Sequence, residues 1–411
     1  MYCPLASFDK ETTRSFGLEK HTLSMSLSTA ELSAAALKYL LQDERSHCAL
    51  GKKLVAIFWA VPPQKDAKPC ALDFAAVLNE PDALQVLDFF RNIHGHAAVA
   101  PSVGQFYCAI LSSPKSRITI RSWHADTLSN VGQHASDYFA AISLPDIFRP
   151  GESRASSVGE MATAMVPVKS KSGPAPAAYS SIFHMALFAK ALPHSFLESV
   201  LSRQSVELAK GIPEEKARFE FESRLRHRTA LIKLYFHSNA RDRGKPMTER
   251  EHESQNHPAY LCGRVLAILD KIHNAAHGKS TASSPAGRYY GSASSTPALV
   301  FPRLCKLAQI HLEKIGGGLA HKLQFGVPQD KSEVPIERDF EGLANIVARF
   351  SADSKWPRTL PLEDQCRFAI GFYYEKCRKW PHYRKGANPK GDEPATENDQ
   401  TIDDSGQETE S

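Results

Sequence analysis

Between Lys271 and Leu312 the chain has no aspartate and no glutamate. In a sequence of which 23% is charged, that gap excludes a carboxylate-built metal site or an acid–base carboxylate pair from the stretch. Long apolar runs are scarce too. The longest, Leu54 to Val61, is far short of the roughly 20 residues a membrane-spanning helix needs. The N-terminus has no basic region followed by an apolar one, and Asp9 comes early, which argues against a secretory leader. Eight cysteines, at positions 3, 48, 70, 108, 262, 305, 366 and 377, form no C-x-x-C pair. They read as reduced thiols of a cytosolic protein, several on apolar helix faces.

What the acid-free window does contain is basic and small. It carries Lys271, Lys279, Arg288, Arg303 and Lys306, with His273, His277 and His311 beside them. Its centre reads Ala286-Gly287-Arg288-Tyr289-Tyr290-Gly291-Ser292-Ala293-Ser294. Such a stretch attracts a polyanion, or is simply a basic loop between two core helices. The net charge of +5 also hides a split. Residues 391–411 hold eight acids and no base, so residues 1–390 carry eight more positive charges than the whole, or +13. The tail has one large aliphatic residue, Ile402, and no aromatic, so an acidic, disordered tail is expected. It keeps the protein soluble, or screens the basic body against non-specific nucleic acid.

The pattern along the chain predicts an α+β protein: a small mixed α/β N-terminal unit with a β-hairpin, then a mainly α-helical C-terminal bundle. Ser28-Thr29-Ala30-Glu31 has the form of a capping box for a helix to about Gln42. Lys53–Trp59 reads as a buried strand and Pro81–Asn92 as a helix. Phe106–Leu111 and Arg117–Trp123 form a predicted hairpin, with Ile118 and Ile120 in a core and Arg117, Thr119 and Arg121 facing solvent. A helix follows over 125–142. Residues 1–148 are expected as one domain. Residues 149–180, rich in Ser, Gly, Pro and Ala, are expected as a linker. Basic connecting helices (181–246) come next, including one opened by Pro213 and reaching about His237. A bundle (247–390) is predicted from apolar faces over 258–276, 303–315, 339–351 and 361–379, with Gly316-Gly317-Gly318 closing the second of these helices. Arg288-Tyr289-Tyr290-Gly291 is expected as a rigid loop between bundle helices.

Catalytic signatures fail on inspection. Gly278-Lys279-Ser280 resembles the end of a phosphate-binding loop, but the earlier glycine would fall at His273, and a helix precedes it. His273 and His277 stand four apart on a helix, yet no third ligand is near in sequence, so no metal or other cofactor is expected. His94-Gly95-His96 is no better supported. The serines after Gly291 do not form a nucleophile elbow. His124 and Asp126 are too close in sequence to mean a dyad. A non-enzyme is expected.

Signals for nucleic acid are stronger. Arg224, Arg226, Arg228 and Lys233 crowd the segment 224–245, and Arg224 and Arg228 share a helix face. They read as a phosphate-tracking ridge or as a solvated helix face. Arg264, Lys279, Arg288, Arg303 and Lys306 extend the basic set, and Arg378 and Lys379 open a segment with Trp380 and Tyr383 interleaved. Tyr289 and Tyr290 stack on a ligand or pack the loop onto the bundle. The alternative to nucleic-acid binding is a basic helical scaffold for acidic protein partners.

Several stretches, in order, carry a family resemblance: Phe106-Tyr107 to Leu111 with Ser112-Ser113-Pro114 and Arg117-Ile118 to Trp123; Ala230-Leu231-Ile232-Lys233-Leu234-Tyr235; Pro258-Ala259-Tyr260-Leu261-Cys262-Gly263-Arg264; Arg288-Tyr289-Tyr290-Gly291-Ser292-Ala293-Ser294 into Thr296-Pro297 and Phe301-Pro302-Arg303-Leu304; and Leu362-Glu363-Asp364-Gln365 with Phe368-Ala369-Ile370-Gly371-Phe372-Tyr373. Together they resemble the large subunit of the type I-C CRISPR surveillance complex, Cascade (the Csd-type family). The resemblance implies a non-catalytic cytoplasmic subunit that binds guide RNA and target double-stranded DNA with its displaced single strand. It implies the other Cascade subunits and a helicase–nuclease effector as partners, and a C-terminal region similar to the small subunit. Specificity in such a complex comes from base pairing, the protein reading backbone and shape. Family members are generally longer at the N-terminus, so a shortened large subunit is expected, with PAM sensing in doubt. Members also yield a small subunit by internal translation, for which Met247, the last methionine, is the matching position.

Overall fold

Strand alternation builds the N-terminal sheet. Strands β1 (His47–Leu50), β2 (Leu54–Val61), β3 (Gln105–Ser112) and β4 (Thr119–Thr127) pair antiparallel in the order β1-β2-β3-β4. On the central strands both faces are apolar. Ala56, Phe58, Phe106, Cys108 and Ile110 point into the main core, while Ile57, Ala109 and Leu111 point the other way, under Leu37, Leu40 and Leu41 of helix α1 (Leu27–Gln42). The structure, a computed structural model, describes residues 26–44, 46–61, 105–112, 118–149, 152–168, 170, 173–210, 215–239, 256–277, 284–315 and 355–378. The expected helices over 81–92 and 339–351, the glycine cap at 316–318 and the acidic tail lie outside the described residues.

Two local expectations for this unit are corrected. Ser26, not Ser28, caps α1: its hydroxyl accepts from the Thr29 amide at 3.2 Å. In the hairpin, Ile118 and Ile120 are 37% and 60% exposed rather than in a core. The register explains this. Ile110 pairs with Ser122 and Leu111 with Ile120, so Arg121 is an extra residue that resets the alternation of the edge strand.

The rest of the described chain is helical: α2 (Leu128–Ile142), α3 (Val158–Ala164), α4 (Pro176–Phe188), α5 (Ser195–Ala209), α6 (Glu215–Asn239), α7 (Pro258–His277), α8 (Pro285–Ser295), α9 (Pro297–Ile315) and α10 (Leu362–Cys377), with a two-stranded ribbon of Leu144–Pro145 and Ser153–Arg154. The architecture is α+β. Helix α9 starts six residues before the expected 303 and runs through Pro302. Tertiary contacts offset the bond that proline forfeits: the Ala298 amide donates to Pro357 O at 3.0 Å, and Phe301 stacks on Trp356 at 4.7 Å.

Within 149–180, the stretch expected as a linker, the described residues include α3 and the start of α4. Ser157 and Glu160 form a reciprocal capping box that starts α3, and Met161, Ala162 and Ala164 are buried where α3 packs on α6. The small residues that suggested a loop instead let two helices approach closely. One continuous apolar cluster runs from Cys48 and Phe106 in the sheet through Ile182 and Leu231 to Phe372 in α10, and the described residues belong to one compact unit.

The tightest packing joins α7 to α10. On α7, Leu261, Val265, Ile268, Leu269 and Ile272 are buried as their spacing predicts. A Cβ at Gly263 would overlap the Phe368 carbonyl oxygen, and one at Gly371 would overlap that of Tyr260. Glycine at both positions lets the two backbones touch.

Candidate nucleic-acid interface

The predicted ridge on α6 is buried, which corrects the expectation that it tracks phosphates. Arg224, Arg226, Arg228 and Lys233 are between 1% and 5% exposed. Arg228 Nε donates to Ala164 O at 2.9 Å and its guanidinium pairs with Glu207; Arg224 donates to Val166 O. These two arginines therefore satisfy carbonyls at the C-terminal end of α3, where cations are favoured. Arg226 pairs with Asp146 at 2.9 Å, and Lys233 donates to Ser143 O at 3.1 Å and to the Tyr374 hydroxyl at 3.2 Å. Arg264 is likewise committed, to the buried Glu375 at 2.8 Å.

Arg288-Tyr289-Tyr290-Gly291 is helix rather than loop. Ser284 caps α8 through the Gly287 amide at 3.2 Å, and Asp270 of α7 accepts from the Ala286 amide at 2.9 Å. The carboxylate missing from the acid-free window is thus supplied from just outside it. Tyr290 is 2% exposed, its hydroxyl accepts from Gln204 Nε2, and it sets its ring edge-on to Phe368 and Phe372. Burial raises its hydroxyl pKa, and it is a packing residue. Tyr289 is half-buried, while Arg288, Arg303, Lys306 and Arg378 are exposed. Lys279 and Lys379 lie outside the described residues. On α9 the exposed face carries Leu299, Arg303, Lys306 and Ile310 at helical spacing, with the two aliphatics 79% and 55% exposed.

Folding assembles a second basic site that the sequence reading did not combine. A cavity of about 840 Å³ opens at the end of the sheet, between the last turn of α1 and the first turns of α4. Lys52, Lys53, Arg121, His184, Ser112, Ser122 and Ser180 are among its lining residues, and no carboxylate lines it among the described residues. Arg121 Nε donates to Ser112 Oγ at 2.7 Å, which fixes the guanidinium plane. His124 and His184 meet through Nε2 at 3.1 Å, with Lys190 Nζ 3.2 Å from His124 Nδ1. Burial, then His124 and Lys190, push His184 down to about 4, so it is neutral at physiological pH. Asp126 has no part in this. Its carboxylate accepts from Thr127 N and Asn130 Nδ2 at the start of α2. Across the sheet, Trp59 stacks on Tyr107 at 5.5 Å and meets the half-exposed Trp123 edge-on at 5.3 Å. Arg121 was legible in the alternating hairpin. Lys52 and Lys53 sit in the β1–β2 turn, which carried no pattern to join them to it.

A third cluster joins the helical end. His311 of α9 lies between His273 and His277 of α7: His273 Nδ1 is 3.2 Å from His311 Nε2, and His277 Nε2 is 3.1 Å from His311 Nδ1.

The features are those of a mainly helical α+β protein with exposed basic side chains and, among the described residues, no helix long and apolar enough to cross a membrane. Comparison defines the class as CRISPR-associated. Residues 2–378 match the family described as CRISPR-associated protein (Cas_Csd1), and the chain belongs to that family. No individually curated protein matches it.

Proposed function

We propose that the chain is a non-catalytic subunit of a type I-C RNA-guided surveillance complex, binding guide RNA and target DNA through phosphates and supporting R-loop formation. In this reading its partners are the guide RNA, the target duplex with its displaced strand, the other Cascade subunits and the helicase–nuclease. The observation that carries the reading is the cavity of Lys52, Lys53 and Arg121, lined by no carboxylate among the described residues, in a member of this family. Cations without competing acids favour a polyanion, and the neighbouring Trp59–Tyr107–Trp123 ladder offers rings to unpaired bases. Arg288, Arg303, Lys306 and Arg378 are among the exposed cations of the helical end and form a second candidate contact.

The test is fluorescence anisotropy of the full chain with single- and double-stranded DNA and RNA across a salt series. Lys52→Ala, Lys53→Ala and Arg121→Ala together should weaken binding regardless of sequence. Each lost phosphate contact should flatten the slope of log K against log salt by roughly 0.7–0.9. An unchanged slope removes the cavity from the interface. A second reading, a scaffold for protein partners, is favoured by one feature: Leu299 and Ile310 flank Arg303 and Lys306 on the same face. Apolar ends around a basic centre suit an acidic, amphipathic helix better than a phosphate chain. Loss of subunit assembly, with nucleic-acid affinity intact, in Leu299→Asp would assign that face to a protein.

A further inference from the structure

The histidines of the helical end are more than a chance encounter of rings. His273 and His277 stand four residues apart at the end of α7, so they share one face of the last turns. His311, 8% exposed, comes from α9 and enters between them. Ring centroids lie 4.7–5.0 Å apart in all three pairs, and one ring nitrogen from each residue lies within 4.8 Å of those of the other two. We propose that His273, His277 and His311 bind one transition-metal dication of the zinc type.

The chemistry follows from the donor set. Three neutral imidazoles are the protein ligands of an open tetrahedral zinc site, and imidazole equally suits cobalt, nickel and copper. Hard cations such as magnesium and calcium need oxygen donors, which this set lacks. With metal–nitrogen bonds of about 2.0–2.1 Å, tetrahedral ligand nitrogens sit roughly 3.4 Å apart. Each ring gives the ion one nitrogen, so His273 Nδ1 with His311 Nε2, at 3.2 Å, is the pair already near that spacing. The distances from this pair to the third ring must close by rotation of the His277 imidazole, which is exposed at the helix end. His311 touches one neighbour through each ring nitrogen, so binding the ion means giving one of those contacts up. The exposed side, at His277, leaves a fourth position for water or a single anionic oxygen.

Sequence spacing hides the site because the third ligand lies 38 residues from His273 and only the α7–α9 packing brings it in. No glutamate follows His273, so a metalloprotease arrangement is excluded and the ion's role is to tie two helices together. The inference does not depend on the proposed nucleic-acid function.

The experiment uses the full chain, stripped with chelator and titrated with Co2+ and then Zn2+. Expected are one equivalent of Co2+ with the visible bands of a four-coordinate ion, displacement by Zn2+, and a rise in melting temperature on adding Zn2+. His277→Ala, at an exposed position, should keep the metal-free melting temperature. It should also lose affinity by more than the roughly 10–100-fold that removal of a mere outer-sphere partner causes. His311→Ala should lose the bands. The proposal is overturned if no equivalent binds, in which case the rings form only an N–H···N relay. It is also overturned if both variants bind as the parent does, because the ion then sits elsewhere.

Discussion

Gly263 and Gly371 each face the backbone of the other's helix, so that neither position has room for a methyl group. This pair sets how closely α7 and α10 approach, and much of the helical core depends on that approach.

Alanine at either glycine should therefore destabilise the chain. Helix propensity alone favours alanine by about 1 kcal/mol. The clash is with backbone carbonyls, which cannot swing aside, and overpacking of this kind costs about 3 kcal/mol. Steric cost wins, and urea unfolding should show a net loss of about 2 kcal/mol for Gly263→Ala and for Gly371→Ala. A gain in stability at either site would mean the helices sit further apart.

Arg228 and Glu207 offer a different test. Arg228 is buried and Glu207 nearly so, and Glu207 also lies 3.5 Å from Arg224, so loss of the carboxylate strips two arginines of their partner. Glu207→Leu should cost about 3–5 kcal/mol and Arg228→Met less, because Glu207 keeps Arg224, and the double replacement should cost less than the sum of the two. The salt dependence of nucleic-acid binding should stay the same in whatever fraction folds. A flatter slope in Arg228→Met would return this residue to the interface.

Stability should also fall on mild acidification. Burial pushes His184 and His227 down to about 4 in the folded chain, for His227 against the opposing pull of Glu160. The unfolded chain takes up these protons near pH 6.5, so the stabilisation is complete above that pH and drains away as pH falls toward 4. Urea midpoints measured at intervals from pH 7 to pH 4 should decline, and His227→Gln, which can still bond Ser156 Oγ, should decline less steeply. Equal slopes would show that His227 is protonated with ease in the fold.

How much of this was legible before folding depended on where the deciding partner lies. The face of α7 could be read because helical spacing alone determines that Leu261, Val265, Ile268, Leu269 and Ile272 share a side. The bases of α6 could not, since a run of arginines reads as surface until Glu207, Asp146 and the end of α3 arrive from elsewhere in the chain. Tyr290 was open between stacking and packing, and Gln204, Phe368 and Phe372 decided for packing. Ile118 and Ile120 were misassigned because one extra residue in an edge strand reverses which side is in.

The unbroken core has a consequence for any product that starts at Met247. Such a piece keeps α7, α8, α9 and α10, with the Gly263–Gly371 crossing intact. It loses the Pro145 carbonyl that accepts from the Tyr373 hydroxyl at 2.6 Å, Lys233 at Tyr374 and Gln204 at Tyr290. Phe368, Phe372 and Tyr373, all enclosed in the whole chain, would border the face that α5 and α6 vacate. A short form of this protein would thus be an adhesive body, stable only when a neighbouring subunit takes the place of the missing helices.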